Sequence, residues 1–481
     1  MYRATDVQPD DTYLWADTSP TDSDATPSLP LPEILVDKRI QTVYFMLGSA
    51  ALLPWNALIT ATPFFLSRLT GSPLRATFSS YMSSSYTGCM LMFIARATAT
   101  SKQNSPSRRF FIATGSLTIL VASLCLSTFI FVPPDWFFFF VIINAIGQAA
   151  GAAFLSTAVY AGASLFGAPY MQAVMAGQAA VAVAVSGVQV LSSMASIWGA
   201  TPDLMDIPSE FGNTKAGVAE AKAARMFFGI STLFLIATFM AYRWLTTLPV
   251  YKARVGILEQ QAKALSSSSD VEERRALLSS GFDMDSSDNK SQLWRVFKAN
   301  IPYELAAFLG FTVTLAVFPP ITVSIMSTNP AVHPLLFSAV HFLVFNLGDF
   351  AGRYICSFPR LIMWSARRVL TIAILRALFI PIFLICNVQR TSTEIISPII
   401  SSDFLYLSIL AAFGLTNGYV STLCMLGAPS LEHNPRLKGR REDVDVAATL
   451  ASFGIISGLA IGSFTSFAVR AVICDCNPFR Q

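Results

Sequence analysis

Long apolar runs separated by short polar breaks set the pattern of this chain. Stretches long enough to cross a bilayer fall at 40–66, 76–96, 109–132, 136–167, 169–197, 225–247, 303–327, 334–358, 367–389, 403–428 and 445–473, eleven in all. A helical crossing needs about 20 apolar residues, so each run predicts one spanning helix. The second, TFSSYMSSSYTGCMLMFIA, is hydroxyl-rich in its first half and fits only a helix whose polar face turns into the bundle. Little more than Gly167, Ala168 and Pro169 parts the fourth run from the fifth, enough for a tight hairpin. The one long polar insertion, 248–302, divides the spans into six and five. The predicted fold class is therefore an all-α polytopic membrane protein, with helices 1–6 in a bundle over 40–247 and helices 7–11 in a bundle over 303–474. Transporters built from two repeats share this layout and hold substrate near mid-membrane between the halves. A plain helical bundle, as in a membrane scaffold or enzyme, is the competing arrangement.

Composition narrows the function classes. Of 481 residues, 53% are hydrophobic and only 13% charged, with a mean hydropathy of +0.54. Soluble domains carry about a quarter charged residues, which excludes an ordinary cytosolic enzyme, a disordered protein and a binder of nucleic acid polymers. The net charge of +4 says little, but its placement says more. With the N-terminus inside, 23 of the 33 Lys and Arg fall on the cytoplasmic side and 8 on the other, leaving Arg353 and Arg376 within spans. Basic residues are retained in short cytoplasmic loops, so the N-terminus is predicted cytoplasmic and the C-terminus extracellular or lumenal. Residues 1–39 read as a disordered cytoplasmic tail and 475–481 as a short tail on the far side. Five cysteines lie in apolar runs, and Cys474 and Cys476 stand too close for an easy disulfide, so neither a disulfide framework nor a metal site is expected. Within the insertion, EERRALL, with its core at 273–278, has the spacing of an acidic dileucine that sorting adaptors read, a string that charged helices also produce by chance. That motif favours a vacuolar or lysosome-like membrane over the plasma membrane.

Ionisable groups inside spans cost a few kcal/mol each on insertion scales, so each asks for a reason. His341, Phe345, Asp349 and Arg353 are four residues apart and line one face of the eighth span, with Asn346 on its flank. Asp349 and Arg353 can pair at i, i+4 and keep spare donors and acceptors. One reading is interhelical glue, or an Arg353 that snorkels to the headgroups. The other is a site for vicinal hydroxyls, where one group accepts and the other donates. His341 and Asp349 lie two turns apart, which suits either a proton relay or a histidine that only hydrogen-bonds. In the first span, Trp55 sits about 22 Å deep at 1.5 Å per residue, beside Pro54 and Asn56. It reads as a packed tryptophan at a kink or as an aromatic wall for a planar base. Gln148 and Ser156 share a face of span four, Gly177 and Gln178 lie in span five, Phe318, Pro319 and Pro320 mark a break in span seven, and Arg376 and Asn387 flank Pro381 in span nine. No Walker loop, HExxH, GxSxG or dinucleotide glycine pattern occurs in a soluble segment. No cofactor is expected and the chain does not read as an enzyme.

LLPWNALITATPFF and FNLGDFAGRY, with FPPITV, LRALFIPIFLICN and LTNGYVSTLCM following in correct spans, resemble the signatures of the equilibrative nucleoside transporters, particularly the fungal members. The resemblance runs from about residue 40 to 473. It implies eleven helices in a six-plus-five arrangement similar to the major facilitator fold. It implies facilitated passage of purine and pyrimidine nucleosides, sometimes nucleobases, by alternating access. It further implies that Trp55 lines the central cavity and that Asp349 and Arg353 engage the ribose hydroxyls supported by Asn346; Asn56, Gln178 and Phe318 stand beside them as candidate substrate contacts. Members commonly carry a base-reading Gln in helix four; here Ser156 takes that place, with Gln148 two turns away. A carrier of sugars or another polar solute, with the same two-bundle build, is the alternative within transport.

Overall fold

The computed structural model describes residues 36–75, 77–100, 105–198, 215–267, 282–319, 321–387 and 399–474. The tail before residue 36, the dileucine at 273–278, the segment 475–481 with Cys476, and the side chain of Cys474 lie outside the described residues.

The described chain is helical almost throughout. In the N-terminal half, α1 (Lys38–Thr60) is followed after Ala61 by the short α2 (Thr62–Arg68), then by α3 (Phe78–Ala99) and α4 (Pro106–Ser127). α5 (Pro134–Phe166), α6 (Ala168–Trp198) and α7 (Lys215–Thr247) complete it. After α8 (Pro249–Ser267), the C-terminal half holds α9 (Phe282–Val317), α10 (Pro334–Ile355), α11 (Ala366–Leu375), α12 (Phe379–Leu384), α13 (Asp403–Gly427) and α14 (Val444–Cys474). Proline opens α4, α5, α8 and α10, the position where its missing N–H costs nothing and its fixed φ suits the first turn. Gly167 alone turns α5 into α6, at a φ of +108° that a side chain would resist.

Nine helices among the described residues are long and apolar enough to cross a membrane, where the apolar runs predict eleven. The other two are present in altered form. α3 is a continuous helix whose hydroxyl-rich composition lowers its hydropathy; Phe78, Met82 and Tyr86 bury one face of it at four-residue spacing. The run at 367–389 is broken into α11, a 3₁₀ turn at Arg376–Leu378, and α12. Pro381 has no N–H for the carbonyl at Ala377, and the buried Arg376 sits in the turn. α9 likewise stops at Val317, just before the cis Phe318–Pro319 bond, as the proline pair predicts.

Helices pair tightly inside each half: α1 with α6 and α3 with α5, α9 with α14 and α10 with α13. Glycine sets the distance. A Cβ on Gly48 or Gly177 would lie 2.0 Å from the Val174 or Phe45 carbonyl oxygen across the α1–α6 contact. Gly348 and Gly352 on α10 interlock with Gly414 and Gly418 on α13, where added carbons would come within 1.9 to 2.4 Å of facing carbonyls. Such small-xxx-small spacing lets backbones touch where lipid offers no hydrophobic drive. Between the halves, α6 meets α10, and α14 meets α3 and α5.

The insertion is partly structured. Tyr251 of α8 reaches the Ser107 and Tyr242 hydroxyls at 3.0 and 2.8 Å, and Ser107 donates to Glu259. Arg254 donates to the Phe166 carbonyl at 2.7 Å, capping α5. Burial, and after it Tyr242, pushes the Tyr251 hydroxyl above its ordinary range, so it stays protonated within this cluster.

Candidate functional site

α10 presents its stripe as the spacing predicts: His341, Phe345, Asp349 and Arg353 are all buried. Arg353 Nε donates to Asp349 Oδ2 at 2.8 Å, an i, i+4 pair with both side chains only 8% exposed. The glycine contact draws α13 close enough for Asn417 Nδ2 to donate to Asp349 Oδ1 at 2.7 Å. Behind it, Asn417 Oδ1 accepts from the Thr314 hydroxyl of α9 at 2.8 Å and from Arg376 at 3.4 Å.

In the opposite direction the network crosses to the N-terminal half. Arg353 Nη1 donates to the Met175 carbonyl at 3.2 Å and to Gln178 Oε1 at 3.3 Å. Gln178 Nε2 in turn donates to the Tyr160 hydroxyl of α5 at 2.6 Å, and Gln172 donates to the Arg353 carbonyl at 3.4 Å. One hydrogen-bonded chain thus runs Tyr160, Gln178, Arg353, Asp349, Asn417 and Arg376, joining the two halves. A buried ion pair needs such extra partners, because desolvation otherwise exceeds the Coulombic gain. Both carboxylate oxygens keep a lone pair, and Arg353 Nη2 has no protein partner among the described residues. These are the groups left for a ligand with paired hydroxyls.

The other predicted residues fall in distinct places. Trp55 packs against Tyr86 of α3, ring centroids 4.4 Å apart, and is partly exposed. Asn56 returns its amide to the Leu52 carbonyl at 3.0 Å within its own helix. Phe318 stacks on Phe345 at 4.1 Å and 19°, one turn along the stripe from Asp349. Asn346 does not touch the ion pair; it donates to Ser186 Oγ and the Ala182 carbonyl of α6 at 3.1 and 3.3 Å, a further link between halves. Ser156 is buried on α5 one turn before Tyr160. Gln148 is fully buried and donates to Asn144, which holds the Leu120 carbonyl and Ser123 on α4. It is committed to the α4–α5 contact, away from Arg353. His341 places Nδ1 at 2.6 Å from the Ser338 carbonyl and Nε2 at 3.4 Å from Thr322. The Phe345 ring stands between it and Asp349 in the stripe, and no hydrogen bond joins them.

Sequence reasoning missed Tyr160, Gln172, Thr314 and Asn417. Asn417 carried a signal, as an amide deep in an apolar run; which helix it faced depended on the α10–α13 glycine register. At the end of α10 away from Arg353, a cavity of about 460 Å³ opens between the halves, lined by Phe64, Gln189, Glu220, Phe227 and Phe342 among others. At the Arg353 end α6 and α10 are closed together. Arg109 adds a second tie at that end. It donates to the Ala97 carbonyl and Thr157 at 3.0 and 2.6 Å and lies within electrostatic reach of Asp445, at the start of α14.

Known proteins give these features a context. The family model described as Nucleoside transporter matches residues 140–471. Equilibrative nucleoside transporter 1 of Rattus norvegicus is 26% identical over 486 residues, covering 91% of this chain and 98% of that protein. Nucleoside transporter FUN26 of Saccharomyces cerevisiae is 25% identical over 470 residues, covering 92% and 87%. Among solved structures, the proton:xylose symporter XylE aligns over 92% of this chain and 91% of its own with a TM-score of 0.51. FucP in the outward conformation aligns over 92% and 98% at 0.50. Both are only 14% identical, so they establish the major facilitator fold and nothing about the cargo.

Proposed function

We infer the function from a membership that the match over residues 140–471 establishes: this chain belongs to the nucleoside transporter family. It is a multi-pass membrane protein that passes nucleosides across the bilayer down their gradient, and not an enzyme. The observation that carries the site is the Asp349–Arg353 pair, buried in an apolar helix yet bonded to both halves. Asp349 accepts and Arg353 donates, so a ribose with vicinal hydroxyls meets both groups in fixed geometry. Trp55, backed by Tyr86, supplies the flat apolar surface for the base.

The described state is closed at the Arg353 end and open at the other. Transport needs the reverse state as well, in which Arg353 releases Met175 and Gln178 and the far cavity closes. We take 40–247 and 303–474 as the two bodies that rock about the site, linked by 248–302. The Lys and Arg bias supports a cytoplasmic N-terminus, which turns the open cavity toward the outside or lumen. The acidic dileucine supports adaptor-mediated sorting to a vacuolar or lysosome-like membrane. Among the described residues His341 bonds only within its own half, which favours facilitated passage over proton coupling.

Purified protein in liposomes is expected to take up labelled uridine or adenosine saturably without ATP. Uptake no greater than in empty liposomes, for every nucleoside and base, would remove the reading. Competition by free ribose as strong as by adenosine would favour the sugar carrier.

A further inference from the structure

Arg376 is a buried charge within the helices of the C-terminal half. It sits in the 3₁₀ turn between α11 and α12, 1% exposed, with no carboxylate within hydrogen-bond distance among the described residues. Its two terminal nitrogens bond to acceptors, namely the Phe413 carbonyl at 2.9 Å, the Thr416 hydroxyl, Thr314 Oγ1 at 2.7 Å and Asn417 Oδ1 at 3.4 Å, while Nε has no partner among the described residues.

That arrangement decides how Asn417 stands. An amide has one accepting and one donating end. Arg376 presents an N–H to one end, and the Thr314 hydroxyl, whose single proton is shared between the Gly310 carbonyl and Asn417 Oδ1, lies beside it, so the oxygen faces them. The NH₂ then faces Asp349 Oδ1, which accepts from it and favours the same orientation. Rotating the amide would set donor against donor on one side and oxygen against carboxylate on the other. The Asp349 carboxylate is in consequence held at two points, Oδ1 by Asn417 and Oδ2 by Arg353 Nε. Without the first, it is free to turn onto the guanidinium fork and take it bidentately, the preferred geometry of such pairs. That would occupy the Arg353 donors a ligand needs.

We propose that Arg376, acting through Asn417, is a positioning residue that keeps Asp349 from closing on Arg353 and so holds the pair open for the two ribose hydroxyls. This deepens the transport reading and rests on it. Neither Arg376 nor Asn417 touches substrate in this scheme. Their loss acts on recognition of the hydroxyls and leaves the base surface at Trp55 as it was.

The test measures the ratio of apparent KM for 3′-deoxyuridine to that for uridine in proteoliposomes. Arg376→Lys keeps the charge but loses the fork, and Asn417→Leu keeps the volume but loses the amide. Each is expected to lower that ratio about tenfold, the scale of one hydrogen bond to a charged group, with maximal velocity changed far less. Thr314→Val, which removes only the hydroxyl behind Asn417, should lower it a few-fold, and Thr314→Ser should restore it. The Thr314 pair decides the matter if the Arg376 variant fails to fold. Asp349→Asn, measured alongside, should flatten the ratio outright. If it does while Arg376→Lys, Asn417→Leu and Thr314→Val leave the ratio at wild type or raise both KM values equally, the positioning role is overturned and the transport reading stands. No uptake by the wild type overturns both.

Discussion

The contacts inside each half and the α6–α10 contact between the halves are made of different chemistry. Inside, glycines bring backbones into direct contact: Gly48 with Gly177 across α1–α6, the four glycines of α10–α13, and Gly458 on α14 against the Phe308 carbonyl of α9. Every described glycine that approaches another helix does so within its own half. Across the divide, α6 and α10 meet through side chains: Arg353 on Met175 and Gln178, Gln172 on the Arg353 carbonyl, Asn346 on Ser186. Backbone contact has no partially open form, because a small displacement forfeits much of the dispersion energy. Side-chain hydrogen bonds can be exchanged for water at a net cost of about 1 kcal/mol each. The two kinds of contact therefore fit the division of labour that the proposed rocking motion requires, with tightly packed pairs inside each half and a polar α6–α10 seam between them. The Asp349–Arg353 pair sits where the two meet, anchored by α13 within its half and reaching α6 outside it.

The largest effect should come from breaking a glycine contact. Gly418→Leu puts a side chain where even a Cβ would lie 1.9 Å from the Asp349 carbonyl oxygen. Overpacking of this kind costs about 3 kcal/mol or more when backbone must move. Loss of monodisperse protein in detergent is expected, and a stable, transport-competent variant would mean the halves are not rigid at α10–α13. Next is the ion pair. Asp349→Ala leaves a buried guanidinium without its counter-charge, a loss of about 3–5 kcal/mol, so lower thermal stability and no uptake are expected. Arg353→Lys retains the charge but cannot serve Asp349, Met175 and Gln178 from one planar fork. It should fold and insert yet transport little, and normal uptake would reduce the pair to a structural tie.

A smaller effect belongs to the interface itself. Gln172→Leu removes one bond across α6–α10 and nothing inside a half. At about 1 kcal/mol the Arg353 end should open roughly fivefold more often. Cys356, which caps α10 one turn beyond Gly352 and is 2% exposed, is the thiol to follow for that opening. Its labelling by a small maleimide should quicken to match, while Gly352→Ala, if it folds, should not act through this route. An unchanged labelling rate would show that the interface does not limit opening.

What could be read along one helix was legible before the fold was known. The stripe of His341, Phe345, Asp349 and Arg353 follows from a period of four, and the break at Phe318–Pro319 from proline chemistry. What depended on register between distant segments was not. Asn417 lies 68 residues from Asp349, and Gln178 lies 175 from Arg353; nothing local says that these amides meet these charges. Gln148 and Gln178 look alike in sequence, each an amide among small residues. Only packing sends the first into the α4–α5 contact and the second across the divide.

The smallest expected effect sharpens the comparison by its absence. His341 shares the α10 face with the ion pair, but its nitrogens face the Ser338 carbonyl and Thr322, both in the C-terminal half. Its ring packs on Phe342 at 4.2 Å and near Phe318 at 5.5 Å. A proton gained or lost there alters contacts within the C-terminal half alone, so under the proposed rocking motion it gives neither the open nor the closed interface an advantage, and only a difference between states can drive the cycle. His341→Gln, which keeps a donor and an acceptor but cannot titrate, should leave the pH profile of uptake superimposable on wild type between about pH 5 and 8, the interval in which an unperturbed histidine changes charge. A flattened profile would place His341 in the moving interface after all and restore proton coupling to the mechanism.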